Sequence, residues 1–308
     1  MYTDTPLNYE DFSVYLITDM VHITKYLLAD RTCFFYDTCT FLKHADLPTP
    51  DPVFFFIKRR NGIVIITGCI LMELTSSNHE LNPKYIRYLK SMHDAGLTVL
   101  LLLEENLLSV LDSCFGTTIA ANNCLSWAIR ALSLSTSTIH TVFQENPELR
   151  NSVLRGDTSD RSLFHRFFSS VRAAKTPGDN LGEELLIICA HVLSNLPSAK
   201  EWKYLILTED KGIFRLLEQA NTNLFKQYGK YNISVLTTPR LAQRLHEENL
   251  LSTAKDIETF LISGGTDNEE RFRIWCSETY DIYDKELSLT ARELAEKLIN
   301  PEVLRIKY

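Results

Sequence analysis

A layered α/β domain built on a parallel sheet is the fold this sequence predicts, and two observations predict it. Five short apolar runs are continuous rather than alternating, as strands covered on both faces should be. Helical patterns lie between most of them, and strand followed by helix, repeated, is the pattern of a three-layer α/β/α sandwich. The runs are "CFFYD" (33–37), "GIVIITG" (62–68), "LTVLLLL" (97–103), "WKYLILT" (202–208) and "NISVLTT" (232–238). "KYIRYLKSMHDAG", before the third run, reads as a helix closed by glycine. "KGIFRLLEQA" follows the fourth run, and "PRLAQRLHEEN" follows the fifth with proline in its first turn.

Two regions depart from this alternation. Within 104–201, Leu125, Ile129, Leu132, Ile139, Val142 and Phe143 recur at near-helical spacing, and Phe164, Phe167, Phe168 and Val171 form a second stripe over 161–175. "NPELRNSVLRGDTSD" between them reads as a loop-rich connection. After about 254, "SGGTDNEE" is a loop without the lysine of a phosphate-binding loop. "TARELAEKLINP" is a helix with Thr290 and Glu293 in capping-box spacing.

Length and composition bound the function. The 308 residues fit one large domain or two smaller ones, with 45% hydrophobic and 23% charged residues, ordinary for a globular protein with a core. A net charge of -7 excludes a globally basic nucleic-acid binder, so any contact with a polyanion must come from a local patch. The start "MYTDTPLNYEDF" has no basic region followed by an apolar one, so no signal peptide is expected. The longest apolar runs are too short for a membrane span and end in acids, so no membrane association is expected. The seven cysteines are scattered without a CxxC pair, which suits free thiols in a reducing, cytoplasmic setting.

Acids fall where acids are costly. Asp37 follows the first run directly, and Asp210 lies just past the fourth, in "YLILTEDKGIF". In open parallel sheets, ligands bind outside the carboxyl ends of strands, so these two face one crevice if their strands are neighbours. Glu73 sits in "TGCILMELTS" among Leu71, Met72 and Leu74, while Glu183 and Glu184 open "GEELLIICAHVL", near a helix N-terminus that favours them. Three or four converging carboxylates repel strongly unless a cation intervenes. An all-oxygen set suits Mg2+ or Mn2+, and such an ion supports attack on a phosphodiester.

At these residues the chain resembles the PIN-domain nucleases. The pieces "FFYDTCTFL", "IVIITGCILMELTS", "NLGEELLIICAHVL", "YLILTEDKGIFRLL" and "ISVLTTPRLAQRL" occur in that family's order. The family's acid and hydroxyl after the first strand match Asp37 and Thr38, and its helical glutamate matches Glu73. Its Gly-Glu pair matches Gly182 and Glu183, and its Thr-Asp/Asn-Asp turn matches Thr208, Glu209 and Asp210. The resemblance implies about five strands in the order 3-2-1-4-5 and a metal-dependent endoribonuclease. Asp37, Glu73, Glu183 and Asp210 would then be catalytic and metal-holding, with Mg2+ or Mn2+ as cofactor and Thr38, Thr208 and Glu184 in support.

Glu183 fits the Gly-Glu match better than Glu184, although Asn180 and Glu183 also have capping-box spacing. Asp37 would equally cap the next helix, Asp210 would suit a turn, and Glu73 would suit pairing with a lysine or arginine. Glu73 and Glu183 lie far apart for this family, so residues from about 118 to 178 are expected to form a helical insertion within a nuclease domain spanning 31–253. Helical extensions are expected over 1–30 and 254–308. Arg155, Arg161, Arg166 and Arg172 in the insertion, with Arg59 and Arg60, are candidate RNA contacts, the alternative being an amphipathic helix with solvated arginines. A protein inhibitor or homo-oligomerisation is a further expectation. The rival functions are a PIN-like binding module without catalysis and a structure-specific nuclease on DNA. Against a haloacid dehalogenase-type phosphatase, Cys39 stands where that motif needs its second aspartate.

Overall fold

The computed structural model describes residues 5–75, 78–132, 137–156, 158–200, 203–210, 212–214, 216–217, 233–263, 271–277, 284–300 and 304–307. Its central sheet has five parallel strands in the order β3-β2-β1-β4-β5. These are β1 (Thr32–Tyr36), β2 (Gly62–Thr67), β3 (Thr98–Leu102), β4 (Tyr204–Leu207) and β5 (Ile233–Leu236), one for each apolar run. Every residue of β1 and β2 is buried. That is why those runs are continuous: both faces are covered, so alternation has no physical basis.

One layer holds α2 (Thr38–Ala45), α3 (Asp51–Arg59), α5 (Pro83–Asp94) and α12 (Thr238–Glu247), packed on β2, β3, β5 and each other. Across the sheet, α11 (Leu181–Ser194) packs on β4 and β5 and on α7 (Thr118–Leu132), while α1 (Met20–Leu28) packs on α6 (Leu107–Cys114). The short α4 (Gly68–Glu73) leaves the end of β2 and meets α11. Register Tyr36↔Leu207 makes β1 and β4 neighbours at the point where strand order reverses. Among the described residues, no helix is long and apolar enough to cross a membrane, and all seven cysteines are free.

The stretch between β3 and β4 is more helical than expected. It contains α7, α8 (Thr138–Glu145), α9 (Pro147–Arg155) and α10 (Ser162–Ala173), with Phe164, Phe167, Phe168 and Val171 buried. Helix α9 occupies the segment expected to be a loop. Val153 is its one buried residue, so it has almost no apolar periodicity to read. Pro147 starts it, and Gly156, at φ +65°, ends it. A Cβ on Gly156 would meet the Ser126 hydroxyl of α7 at 2.5 Å, so this turn needs glycine for space as well as for backbone.

The C-terminal region is not purely helical. Between α13 (Ala254–Ile262) and α14 (Ala291–Ile299) lie β6 (Arg271–Ser277) and β7 (Lys285–Thr290), joined by β8 (Arg305–Ile306) in an antiparallel sheet of order β7-β6-β8. In β6, Ile274 and Cys276 are buried while Arg271 and Arg273 are exposed, the alternation of a strand covered on one face. A search for continuous apolar runs passes over such a strand. The expected capping box of α14 forms between Thr290 and Glu293. Most of "SGGTDNEE", part of "KGIFRLLEQA" and Pro301 lie outside the described residues. At the other end, residues 9–15 form two 3-10 turns, and Ile17 pairs in parallel with Leu100 beside β3.

Candidate acidic site at the carboxyl edge of the sheet

Asp37 ends β1 and is only 1% exposed. It caps α2: Oδ1 accepts from the Thr38 N–H at 2.7 Å. Oδ2 accepts from the Thr208 hydroxyl at 2.8 Å and from the Cys39 thiol at 2.6 Å. Burial pushes the Asp37 carboxyl up despite these donors, and the charge of Glu73 adds to the effect. Cys39 has its own pKa raised by burial and by the Asp37 charge, so it stays a thiol able to donate.

Single-residue links join the four predicted acids. The Thr208 hydroxyl, which donates to Asp37, also accepts the Asp210 N–H at 2.9 Å, tying the ends of β1 and β4 together. The Thr38 hydroxyl donates to Glu73 Oε2. Glu73 in turn lies against Gly182, where a Cβ would stand 2.5 Å from Oε1, so glycine is what lets α4 approach the start of α11. Glu183 follows directly. Burial raises the Glu183 pKa to about 8, and the charges of Asp37, Glu73 and Asp210 add to the rise. Its Oε2 is buried without a hydrogen-bond partner. The expected cap of α11 by Asn180 is absent; Asp179 accepts the Leu181 N–H at 3.1 Å instead, leaving Glu183 out of any capping box.

Three of the four acids also have ordinary structural partners. Asp37 is an N-cap, and Asp210 Oδ1 accepts the Gly212 N–H at 2.5 Å in a tight turn. Glu73 Oε1 meets the ammonium of Lys175 at 2.7 Å, and Lys175 also binds Asp179. The Lys175 side chain is 2% exposed. Burial opposes its charge, but Asp179 and Glu73 outweigh burial and hold it above the ordinary lysine range. As the side chains stand, no group of three or more His, Cys, Asp or Glu among the described residues is gathered for an ion. The donor chemistry still fits a hard divalent cation: all are oxygens, and the buried Glu183 Oε2 has nothing to bind.

Several other expectations resolve differently. Glu184 faces away from the site: its oxygens accept the N–H groups of Thr138 and Ile139 at 3.0 and 3.1 Å, capping α8. Burial raises it to about 7. Glu209 accepts the Thr238 N–H at 2.8 Å at the start of α12. Arg59 and Arg60 close α3 just before β2 begins, at the opposite edge of the sheet from the acids. Both bind Glu248, and Arg60 stacks on Phe56. Arg172 is 11% exposed, held by Glu104 and Glu105, and so is turned inward rather than toward a substrate. Arg161 pairs with Asp112, Arg166 with Asp160, and Arg155 is exposed at the end of α9. The cation placed on the acidic edge is instead Lys175. In the sequence nothing sets Lys175 apart from the arginines of the same segment, because only a tertiary contact separates them. Cys39 likewise gave no signal of its role as a donor to Asp37.

No protein-family model, curated protein or solved structure matches this chain.

Proposed function

We propose that the chain is a PIN-like, metal-dependent endoribonuclease whose acidic centre is formed by Asp37, Glu73, Glu183 and Asp210. The observation that carries this reading is Glu183. Its carboxyl group faces three other acids and keeps a buried oxygen without a partner. A fold does not keep such a group for stability, because a buried oxygen without a partner costs free energy. Bound Mg2+ or Mn2+ would neutralise these carboxylates and supply the Lewis acidity that phosphodiester hydrolysis requires.

Asp37, Glu183 and Asp210 are the residues to hold it, with Glu73 beside them. Thr208 and Cys39 fix the rotamer of Asp37, and Thr38 fixes that of Glu73, before any ligand arrives. RNA is the proposed substrate class. Incubating the purified chain with matched RNA and DNA in Mn2+ tests this: RNA cleavage is expected, lost in D37N and D210N. Cleavage of DNA alone would transfer the reading to a DNA nuclease. Cleavage unchanged in both variants would remove the site.

A second reading, a PIN-like binding module without catalysis, draws support from Lys175, whose ammonium already engages Glu73. Absence of Mn2+ binding by calorimetry would favour it.

A further inference from the structure

We infer that the amino edge of the central sheet is a docking surface for the phosphate backbone of a single RNA strand, held by Arg31, Lys58, Arg59, Arg60, Lys200 and Lys203. The choice of RNA rests on the functional reading above. The surface itself does not, because it lies at the far end of the strands from the acids and would serve a binding module as well as a nuclease.

Register brings these residues together. Thr32 pairs with Gly62 and Cys33 with Tyr204, so the residues entering β1, β2 and β4 stand side by side on one rim. Arg31 directly precedes β1, Lys203 directly precedes β4, and Arg60 lies two positions before β2. With neighbouring strands about 4.8 Å apart, the three starting points span about 10 Å. Side-chain contacts tie the flanks to the same rim. Lys200 and Lys203 reach Asp30 at 2.6 and 3.4 Å, Asn61 donates to the Asp30 carbonyl at 3.1 Å, and Arg59 donates to the Glu248 carbonyl at 2.9 Å.

Charge sets this rim apart. Its six cations pair with two carboxylates, each shared: Asp30 by Lys200 and Lys203, Glu248 by Arg59 and Arg60. Nearby Glu247 is answered by its own Arg244 at 2.9 Å. Arg31 and Lys58 have no carboxylate partner among the described residues; Arg31 lies over the Tyr26 ring, and Lys58 donates to the Ala95 carbonyl. The rim thus keeps a positive surplus in a chain whose net charge is -7. Helix ends explain part of it, since Lys58 and Arg59 close α3, where the dipole favours cations. They do not explain Arg31, Lys200 and Lys203, which lie in the links into β1 and β4, outside any helix. The side chains of Lys200 and Arg59 are 61% and 55% exposed, so both can reach a ligand. Among the described residues, no exposed large apolar side chain lies at 29–31, 58–61, 200 or 203. Protein partners are gripped through apolar anchors, whereas a phosphate backbone is held by lysine and arginine alone, which favours nucleic acid here.

Fluorescence anisotropy of a labelled single-stranded RNA of about 20 nucleotides, titrated with the full chain in chelator so that nothing is cleaved, tests this. Between about 50 and 200 mM salt, log affinity should fall against log salt with a slope of about −3 to −4, as about four to six neutralised phosphates require. K200Q/K203Q and R31Q/K58Q should each reduce that slope by about 1.4 and weaken binding about tenfold or more at the lower salt. R31Q/K58Q strands no carboxylate, so it guards against a loss of fold in the other pair. R271Q/R273Q, on the C-terminal sheet, should bind as wild type does. A wild-type slope shallower than about −1, an unchanged slope in both double variants, or an equal loss in R271Q/R273Q would overturn the surface. Polyglutamate of matched charge binding as tightly as the RNA would overturn the phosphate assignment, and single-stranded DNA binding about tenfold tighter would overturn the choice of RNA. The assay needs no hydrolysis, so failure of the acidic-centre reading and failure of this one are distinguishable.

Discussion

Two acidic clusters lie along the same edge of the sheet, and they differ in what answers their charge. Beside β3, Glu104 is fully buried yet receives the Cys69 N–H at 2.9 Å and Arg172 at 3.2 Å, while Arg172 forks onto Glu105. Burial raises the Glu104 carboxyl; Glu105 also feels burial, but Arg172 holds it below the ordinary range. Beside β1 and β4, Glu73 shares Lys175 with Asp179, while Glu183 keeps a bare oxygen. Burial of a carboxylate is therefore no mark of function by itself. The mark is a carboxylate whose surroundings are rigid and whose partner is missing.

The comparison can be broken most forcefully at its satisfied end. R172M leaves Glu104 buried without a cation and should cost about 3–5 kcal/mol in urea unfolding. A loss under about 1 kcal/mol would mean that the pair is not what stabilises this edge. At the other cluster, D37N should lower RNA cleavage by about 100-fold or more. Its melting temperature should stay near wild type, because asparagine caps a helix as well as aspartate. Collapse of the fold in D37N would make this acid structural, like Glu104.

A finer test uses pH. Burial, with the charges of Asp37, Glu73 and Asp210, raises the folded-state pKa of Glu183 to about 8 from the ordinary 4.5 of a glutamate, so between these values the folded state holds a proton that the unfolded chain has released. The stability associated with that proton is full below about 4.5 and is lost as pH rises through about 8, at up to about 1.4 kcal/mol per pH unit. E183Q should flatten this fall in chelator-treated protein. An identical slope in the variant would show that burial and the neighbouring acids do not hold a proton on this carboxyl. The smallest effect belongs to the adjacent residue. E184Q keeps one acceptor for the two amides at the start of α8 and should cost about 1 kcal/mol, with cleavage unchanged.

The sheet was legible in the sequence because its strands are buried on both sides: each of "CFFYD", "GIVIITG", "LTVLLLL", "WKYLILT" and "NISVLTT" contains one strand, and the order β3-β2-β1-β4-β5 is the order the resemblance implied. Helix α9 and strand β6 were not legible, for opposite reasons. The first buries one side chain and has no stripe; the second buries every other residue and has no run. At the candidate site, Asp37, Glu73, Glu183 and Asp210 were readable because each is an acid in an apolar or turn context. Lys175 and Cys39 were not, since a lysine that turns inward and a thiol that donates to a carboxylate look ordinary in one dimension. The arginines also differ in ways only tertiary contacts reveal: Arg172 is turned onto Glu104 and Glu105, whereas Arg59 and Arg60 reach Glu248 from more exposed positions.

The pairing of Ile17 with Leu100 has a consequence for the edge of the sheet. Ile17 donates its N–H to Val99 at 2.9 Å and accepts that of Leu101 at 3.1 Å, so the outer rim of β3 is occupied by the chain's own leading segment. A chain shortened to begin at Met20 would present the amides of a strongly apolar strand, "TVLLL", to any neighbour. Light scattering should report a larger particle for that shortened chain than for the full chain.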